Sequence, residues 1–171
     1  FYNQSIWERL MAWAKNGTPD TLGGTADVLT ISDLTAKKFN QIMTHIISSG
    51  TTNSTAIMNN DSTSVYAFRY SENGAADGTG TSQAIIDSDS GTPAADLFKM
   101  SYFVSISGEE KLYMSFSCQP GTAGAGTAPS RREWIAKYVP SPDADVTEFE
   151  WNNAGAGDYA ISTNISALGT D

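Results

Sequence analysis

Two neighbouring segments alternate apolar and polar side chains, and this alternation constrains the fold more than any other feature of the sequence. Apolar side chains occupy the even positions of residues 97–107 and again of residues 111–119. Because alternate side chains of a strand point to opposite faces, each segment is expected to be a strand with one apolar face. The turn residues 108–110 lie between them, which predicts an antiparallel hairpin. The apolar positions are Phe98, Met100, Tyr102, Val104 and Ile106, then Leu112, Met114, Phe116 and Cys118.

The same alternation predicts which face of the hairpin is buried. Burial of apolar surface is the dominant favourable contribution to folding, so the even-numbered face is expected to lie in the core. Cys118 would then be a small buried hydrophobe on the inner face. Trp134 is likewise expected to be buried on a later strand.

Short apolar runs separated by Gly, Asn, Asp, Ser and Thr continue through the chain from Ser54 onward. This spacing is typical of an all-β sandwich or barrel. Two polar stretches, residues 71–82 and 87–96, are expected to be loops that reach outward. Further strands are predicted at residues 55–60, 64–71, 82–87, 132–139, 145–151 and 158–168.

The first part of the chain has a different period, which predicts a helix over residues 5–15. Apolar side chains recur there at three- and four-residue spacing, and Ser5 is a suitable N-cap. The apolar stripe either packs on the sheet of its own chain or docks on a neighbouring subunit. The candidate interaction residues of this helix are Trp7, Leu10 and Met11.

A second short helix is expected over residues 33–39, and it would run into a strand that contains His45. The expected organisation is therefore an N-terminal helix and connector in residues 1–27, followed by one β domain in residues 28–171. The predicted fold class is mainly β and antiparallel, with one or two short N-terminal α-helices.

Composition excludes several function classes. Ten Lys and Arg against 19 Asp and Glu give a formal net charge of -9, which repels phosphate backbones and argues against a nucleic-acid partner. No apolar run approaches the length of a membrane span, so no membrane partner is expected. With one cysteine and one histidine, the chain has no intrachain disulfide and no Cys/His zinc cluster.

Catalytic and cofactor patterns are incomplete. The glycine-rich stretch 121–126 lacks the following Lys of a phosphate-binding loop and the order of glycines of a dinucleotide fingerprint, so it is expected to be a hairpin loop. His45 has no evident nucleophile or orienting partner, and a structural histidine is the simpler interpretation. The stretch DSDSG, residues 87–91, begins like a calcium loop but lacks the later ligands. We expect no enzyme activity, no cofactor and no metal.

Arg131 and Arg132 follow the glycine-rich loop directly. Adjacent residues of a strand point to opposite faces, so one of the two is expected to meet solvent and the other an interior or an interface. Pairing with Glu133 or Glu110 within the chain and a bridge to a second subunit are both open. Both arginines are candidate interaction residues.

An ordered string of segments resembles a group of small virion proteins of tailed bacteriophages and related archaeal viruses. The resemblance covers residues 28–171 and rests on LTAKKFNQIMTHIISSG, NNDSTSVYAFRYSENGAADGT, ISGEEKLYMSFS, GTAGAGTAPSRREWIAKYV and WNNAGAGDYAISTNISALGTD. It implies an antiparallel β-sandwich of jelly-roll type. It also implies a location on the virion, as a decoration, spike or tail-fibre component, with other virion proteins as partners and a symmetric homo-oligomer as the assembled form.

A second hypothesis is a carbohydrate-binding or receptor-binding adhesin whose partner is a host surface glycan. Exposed aromatic rings stack on sugars, whereas core packing is the commoner fate of large aromatics on alternating strands. The aromatic residues considered for this role are Tyr66, Tyr70, Trp134 and Trp151.

Overall fold

The computed structural model describes residues 12–91, 96–121, 124–141 and 144–171, and in these ranges it contains strands and no helix. The strands are β1 (Ala14–Lys15), β2 (Asp20–Thr21), β3 (Val28–Ile31), β4 (Phe39–Ile46), β5 (Thr52–Met58), β6 (Tyr66–Glu72), β7 (Gly78–Gln83), β8 (Asp87–Gly91), β9 (Leu97–Val104), β10 (Lys111–Gln119), β11 (Ser130–Tyr138), β12 (Phe149–Asn153) and β13 (Asn164–Thr170). The prediction of a mainly β, antiparallel fold is confirmed.

The strands form two sheets, and every strand pair is antiparallel. The larger sheet has the order β1-β13-β4-β9-β10-β11-β6-β7, with β2 also pairing with β13. The smaller sheet has the order β3-β12-β5-β8. Strands β9, β10 and β11 are sequential neighbours, whereas β13 returns from the C-terminal end of the chain to pair with β4.

The two sheets share one hydrophobic core. Phe149 and Trp151 of β12 are fully buried, and the ring of Phe149 stacks near that of Tyr113 on β10, with centroids 6.1 Å apart. Trp134 of β11 is also buried, as predicted, and donates its indole N–H to the carbonyl oxygen of Ile86 at 2.6 Å. Burying each large apolar side chain contributes about 1.5–3 kcal/mol, so these contacts hold the sheets together.

Most strand predictions are confirmed. The hairpin of residues 97–107 and 111–119 is present as β9 and β10 in antiparallel register, and the glycine-rich loop connects β10 to β11. Strands β5, β6, β12 and β13 overlap the runs predicted at 55–60, 64–71, 145–151 and 158–168.

The predicted orientation of the hairpin is wrong. The even-numbered apolar face points outward, with Phe98, Leu112 and Phe116 between 46% and 59% exposed. Cys118, expected to be buried, is exposed on the same face. The odd-numbered face packs inward because its polar side chains find buried partners on the smaller sheet.

The helix predictions fail where the structure can check them. Of the helix expected over 5–15, residues 5–11 lie outside the described residues, and Ala14–Lys15 are strand β1, paired with β13. No helix forms over 33–39: Asp33 has a left-handed φ of 56°, and the side chain of Asn16 accepts a hydrogen bond from the Thr35 backbone N–H at 2.9 Å. The strand expected around His45 is present as β4.

The two polar stretches predicted as outward loops both contribute strands. Residues 71–82 contain most of β7, which pairs with β6, and residues 87–96 begin with β8, which pairs with β5. The strand predicted at 82–87 overlaps only the last two residues of β7 and the first residue of β8. Gly, Asp and Ser have little intrinsic preference for strands, so these two segments become strands because they pair with neighbouring strands.

We expect Gly155→Ala to destabilise the protein, because a Cβ at position 155 would lie 2.4 Å from the Thr51 carbonyl oxygen and 2.8 Å from the Asn53 nitrogen. Backbone atoms cannot rotate away, and overpacking of this kind costs about 1–3 kcal/mol. Gly23→Ala is the matched control, because nothing lies within 4 Å of its added Cβ. Urea unfolding measures both variants, and equal midpoints would contradict the close packing of this loop.

Stability should fall at alkaline pH. Burial raises the pKa of Tyr138 to about 12, with the Asp61 carboxylate adding to the rise, and burial also raises the pKa of Tyr66. Since both folded pKa values exceed the unfolded value of about 10, their contribution is complete below about pH 10 and is lost as the pH rises through the folded values. Urea unfolding at several pH values above 9 (about 9 to 11) measures the slope. Tyr66→Phe should make it shallower, and a pH-independent free energy of unfolding would refute the expectation.

Candidate functional site

The outer side of the larger sheet carries a contiguous group of exposed apolar side chains, which we call the apolar face. Leu112 and Ile135 are the most exposed of these, at 59% and 61%. The apolar face consists of Trp13, Phe39, Phe98, Leu112, Met114, Phe116 and Ile135.

The strand register shows that these side chains are neighbours. Leu112 lies opposite Val104, which lies opposite Phe39, so one row crosses β10, β9 and β4. In the next row Met114 lies opposite Ile135 on one side and Tyr102 on the other. Directly opposed side chains of antiparallel strands have their Cβ atoms about 4.5–5.5 Å apart, so the rows form one surface.

A shallow hollow lies in the apolar face, and its lining is almost wholly apolar. Trp13, which precedes β1, reaches this hollow from the edge of the sheet and is 44% exposed. Residues 1–11 lie immediately before this point in the chain. The other side chains that line the hollow include Phe39, Tyr102, Leu112, Met114 and Ile135.

Charges of both signs border the apolar face where β11 carries Ile135 and pairs with Leu112 of β10. Arg69, the cross-strand neighbour of Ile135, pairs with Asp77 at 2.8 Å. Lys137, the neighbour of Leu112, pairs with Glu110 at 2.9 Å. Exposed pairs of this kind add little to stability but give a rim that can attract matching charges.

The second feature is an ionic cluster buried between the two sheets. Lys99 of β9 is 1% exposed, and its ammonium donates to Asp87 Oδ1 at 2.8 Å and to Asp89 Oδ2 at 3.2 Å. Both aspartates belong to β8 of the smaller sheet, so the cluster connects the sheets. The Lys99 ammonium also lies 4.9 Å from the ring centre of Trp151.

Hydroxyl groups of β10 complete the cluster. Asp87 Oδ2 accepts hydrogen bonds from the Tyr113 hydroxyl at 2.5 Å and from Ser115 Oγ at 2.7 Å. Asp89 Oδ2 accepts one from Ser117 Oγ at 2.6 Å. Tyr113, Ser115 and Ser117 of β10 therefore supply the hydrogen bonds that two buried carboxyls require.

The environment shifts the proton affinity of the cluster. Burial raises the pKa of Asp87, against the opposing effects of the Lys99 charge and the hydrogen bonds. Burial also raises the pKa of Tyr113 well above its ordinary value, and the neighbouring Asp87 carboxyl adds to the rise. Both groups therefore hold their protons more strongly than they would in water.

The two arginines occupy opposite faces, as predicted. Arg131 is exposed and lies 3.7 Å from Glu133. Arg132 points inward, pairs with Glu72 at 2.6 Å and donates to the Ser88 carbonyl oxygen at 2.9 Å. Arg132 therefore contacts the edge of the ionic cluster, whereas Arg131 lies on the outer side of the sheet.

The remaining predicted residues do not form a site. Trp7, Leu10 and Met11 lie outside the described residues. Of the aromatics considered for sugar stacking, Tyr66, Trp134 and Trp151 are buried in the core, and Tyr70 stacks on Trp134 at 4.7 Å. His45 lies on the outer side of β4, and its Nε2 is 3.6 Å from Asp96. In the ranges that the structure describes, no group of three His, Cys, Asp or Glu side chains could hold a metal ion.

Sequence reasoning missed Lys99, Asp87 and Asp89. The sequence predicts residues 87–96 as an outward loop, and the predicted burial of the even-numbered face would leave Lys99 on the opposite face of the strand. The available signal was the alternation itself, because Lys99 shares its face with Phe103 and so cannot be on the solvent side if Phe103 is buried. The sequence alone does not determine which of the two faces of this strand is buried.

Comparison with known proteins gave no match to any family model, curated protein or solved structure. Across the described part of the chain, no helix is long and apolar enough to span a membrane.

We expect Lys99→Met to destabilise the protein by at least about 3 kcal/mol, because it leaves two buried carboxyls without their cation. Lys137→Met is the control: Lys137 and Glu110 are both nearly half exposed, and loss of such a pair costs under about 1 kcal/mol. Chemical denaturation measures both. Equal losses would show that the cluster does not hold the sheets together.

Proposed function

We propose that this chain is a non-enzymatic structural protein of a virus particle, a decoration, spike or tail-associated component that assembles through its apolar face. The observation that carries the proposal is the apolar face itself, which the fold leaves exposed on its larger sheet. The resemblance of residues 28–171 to small virion proteins supports the proposed virion location. Two packed antiparallel sheets agree with the jelly-roll sandwich that the resemblance implies.

The size of the apolar face supports an interface. Four strands about 4.8 Å apart, each contributing about six residues at about 3.4 Å, cover on the order of 400 Å² in projection. Contiguous apolar patches of this size on a folded chain commonly mark interaction sites. Removing apolar surface from water contributes about 25 cal/mol per Å², so covering the patch is a substantial driving force.

A second copy of this chain is the occupant that we propose. The rim carries Arg69 and Lys137 together with Asp77 and Glu110, so two copies related by a two-fold axis can oppose unlike charges. A partner of one charge sign would gain less from such a mixed rim. The apolar centre and mixed rim together match the usual arrangement of a subunit interface.

The residues predicted from the sequence to take part in interactions differ in whether they lie near the apolar face. Arg131 lies opposite Cys118 on the outer side of the sheet and can contact a neighbouring subunit. Arg132 points toward Ser88 and Glu72 within its own chain, so we assign it no intersubunit role. Because Trp13 already reaches the apolar face, we also keep Trp7, Leu10 and Met11 as proposed contacts of the assembled form.

Light scattering coupled to size exclusion should show a dimer or a higher symmetric oligomer of the full chain. Leu112→Lys combined with Ile135→Lys should shift it to the monomer, because two ammonium groups would enter the apolar contact. Ile161→Lys is the matched control, since Ile161 is 60% exposed but lies outside the apolar face. A monomeric wild type, or assembly unchanged in the double variant, would refute the interface.

Cys118 provides an independent readout, because it is exposed beside Phe98 and Arg131 on the outer side of the sheet. A thiol reagent should modify it more slowly in the assembled wild type than in the Leu112→Lys, Ile135→Lys double variant. The virion location has its own test: peptides of this chain should occur at a fixed copy number in purified particles, and their absence would refute the location while leaving the interface standing.

A further inference from the structure

A buried amine next to two buried carboxyls is an unusual composition for the interior of a small β protein. Lys99 and Asp87 are 1% and 0% exposed, and Asp89 is 4% exposed. Lysine is among the residues that are almost never fully buried, and a buried ion pair often contributes no more stability than apolar residues of the same size. Stability alone therefore does not explain why Lys99 and Asp87 are buried together, and a chemical reaction between them is a second explanation.

We propose that Lys99 and Asp87 condense to an intramolecular isopeptide bond, which joins β9 of the larger sheet to β8 of the smaller sheet. The two groups are already in contact, with Lys99 Nζ 2.8 Å from Asp87 Oδ1. Holding nucleophile and electrophile in one fixed geometry replaces a bimolecular encounter and lowers the barrier substantially.

The surroundings of Asp87 suit attack at its Cγ. Its Oδ2 accepts hydrogen bonds from the Tyr113 hydroxyl at 2.5 Å and from Ser115 Oγ at 2.7 Å. When an amine adds to a carboxyl carbon, negative charge develops on such an oxygen, and fixed donors stabilise it in a site without water. Tyr113 and Ser115 therefore act as the oxyanion donors.

The reaction needs a neutral amine and a neutral carboxylic acid. Away from water the charged pair loses its hydration, and transfer of one proton from the Lys99 ammonium to Asp87 removes both charges. Burial raises the pKa of Asp87, which favours its protonated form. Lysine amines freed of their proton in this way are effective nucleophiles.

Asp89 is the group that moves the protons. Its Oδ2 lies 3.2 Å from Lys99 Nζ, and its Oδ1 lies 3.7 Å from Arg132 Nη1. A carboxylate at this distance can accept a proton from the attacking nitrogen and return it to the leaving oxygen. Asp89 is thus the general base and then the general acid.

The atoms balance without an external reactant. The Lys99 Nζ lone pair forms the C–N bond to Asp87 Cγ, Asp89 takes a proton from the nitrogen, and one Asp87 oxygen leaves with that proton and its own as water. An ammonium and a carboxylate are thereby converted into one neutral amide and one water molecule. No oxidant, reductant or metal is required.

The intact mass of the denatured full chain tests the proposal directly. The wild type should be lighter than the sequence requires by one water molecule, and fragmentation should yield a branched peptide that joins the segments around Asp87 and Lys99. A wild-type mass that equals the sequence mass, after prolonged incubation of the folded protein, would overturn the proposal and leave an ordinary buried ion pair.

Substitutions separate the cross-link from other losses of water. Lys99→Arg should restore the full sequence mass, whereas a loss that persists in this variant would come from elsewhere, such as cyclisation at Asp77–Gly78, and would overturn the assignment. Asp87→Asn should condense with loss of ammonia and give the same final mass as the wild type.

Two further variants test the roles of the surrounding residues. Asp89→Asn should slow condensation by a factor of ten or more (roughly 10²-fold for loss of a positioned acid–base group), and unchanged kinetics would refute its role. Lys111→Arg is the matched control: Lys111 is equally buried, but its ammonium donates to the carbonyl oxygens of Ile106 and Glu109, at 2.6 and 2.8 Å. This variant should keep the loss of one water molecule.

Discussion

The contact between Lys99 and the two aspartates of β8 is the interaction on which the rest of the structure depends. Burying an ammonium and two carboxyls costs several kcal/mol per ion unless partners replace the lost water. Tyr113, Ser115 and Ser117 supply those partners from the next strand. All three lie on the odd-numbered side of β10. Because the buried carboxyls need these hydrogen bonds, the odd-numbered side of the central hairpin must face the smaller sheet.

The orientation of the hairpin then decides the outer surface of the protein. With its polar side turned inward, the apolar side of β9 and β10 has no partner within the described chain and becomes the apolar face. The same choice that satisfies the buried charges therefore creates the surface proposed for assembly. A covalent link between β8 and β9, as proposed above, would fix this choice permanently.

The sequence predicted strands far better than it predicted faces. Alternation located β9 and β10 because a period of two is a local property of the chain. It places Cys118 and Leu112 in the core because apolar residues are usually buried, which would leave Lys99 on the opposite face. The candidate site was missed because DSDSG resembles a turn when it is considered alone. Its pairing with Lys99, 12 residues after Asp87 in the chain, is seen only in the folded structure. The helix expected near Asp33 does not form because the Asn16 side chain, distant in sequence, accepts the hydrogen bond of the Thr35 backbone N–H, and Asp33 has a left-handed φ.

By itself the sequence determined the strand-rich class, the hairpin, the loop before Arg131 and the opposite directions of Arg131 and Arg132. These follow from periodicity and turn chemistry, which act over a few residues. Only the tertiary structure decided which face of each strand is buried, that β7 and β8 are strands, and that Lys99 meets Asp87 and Asp89. Those outcomes depend on pairing between distant segments, where satisfying buried charges outweighed the simple rule that the more apolar face lies inside.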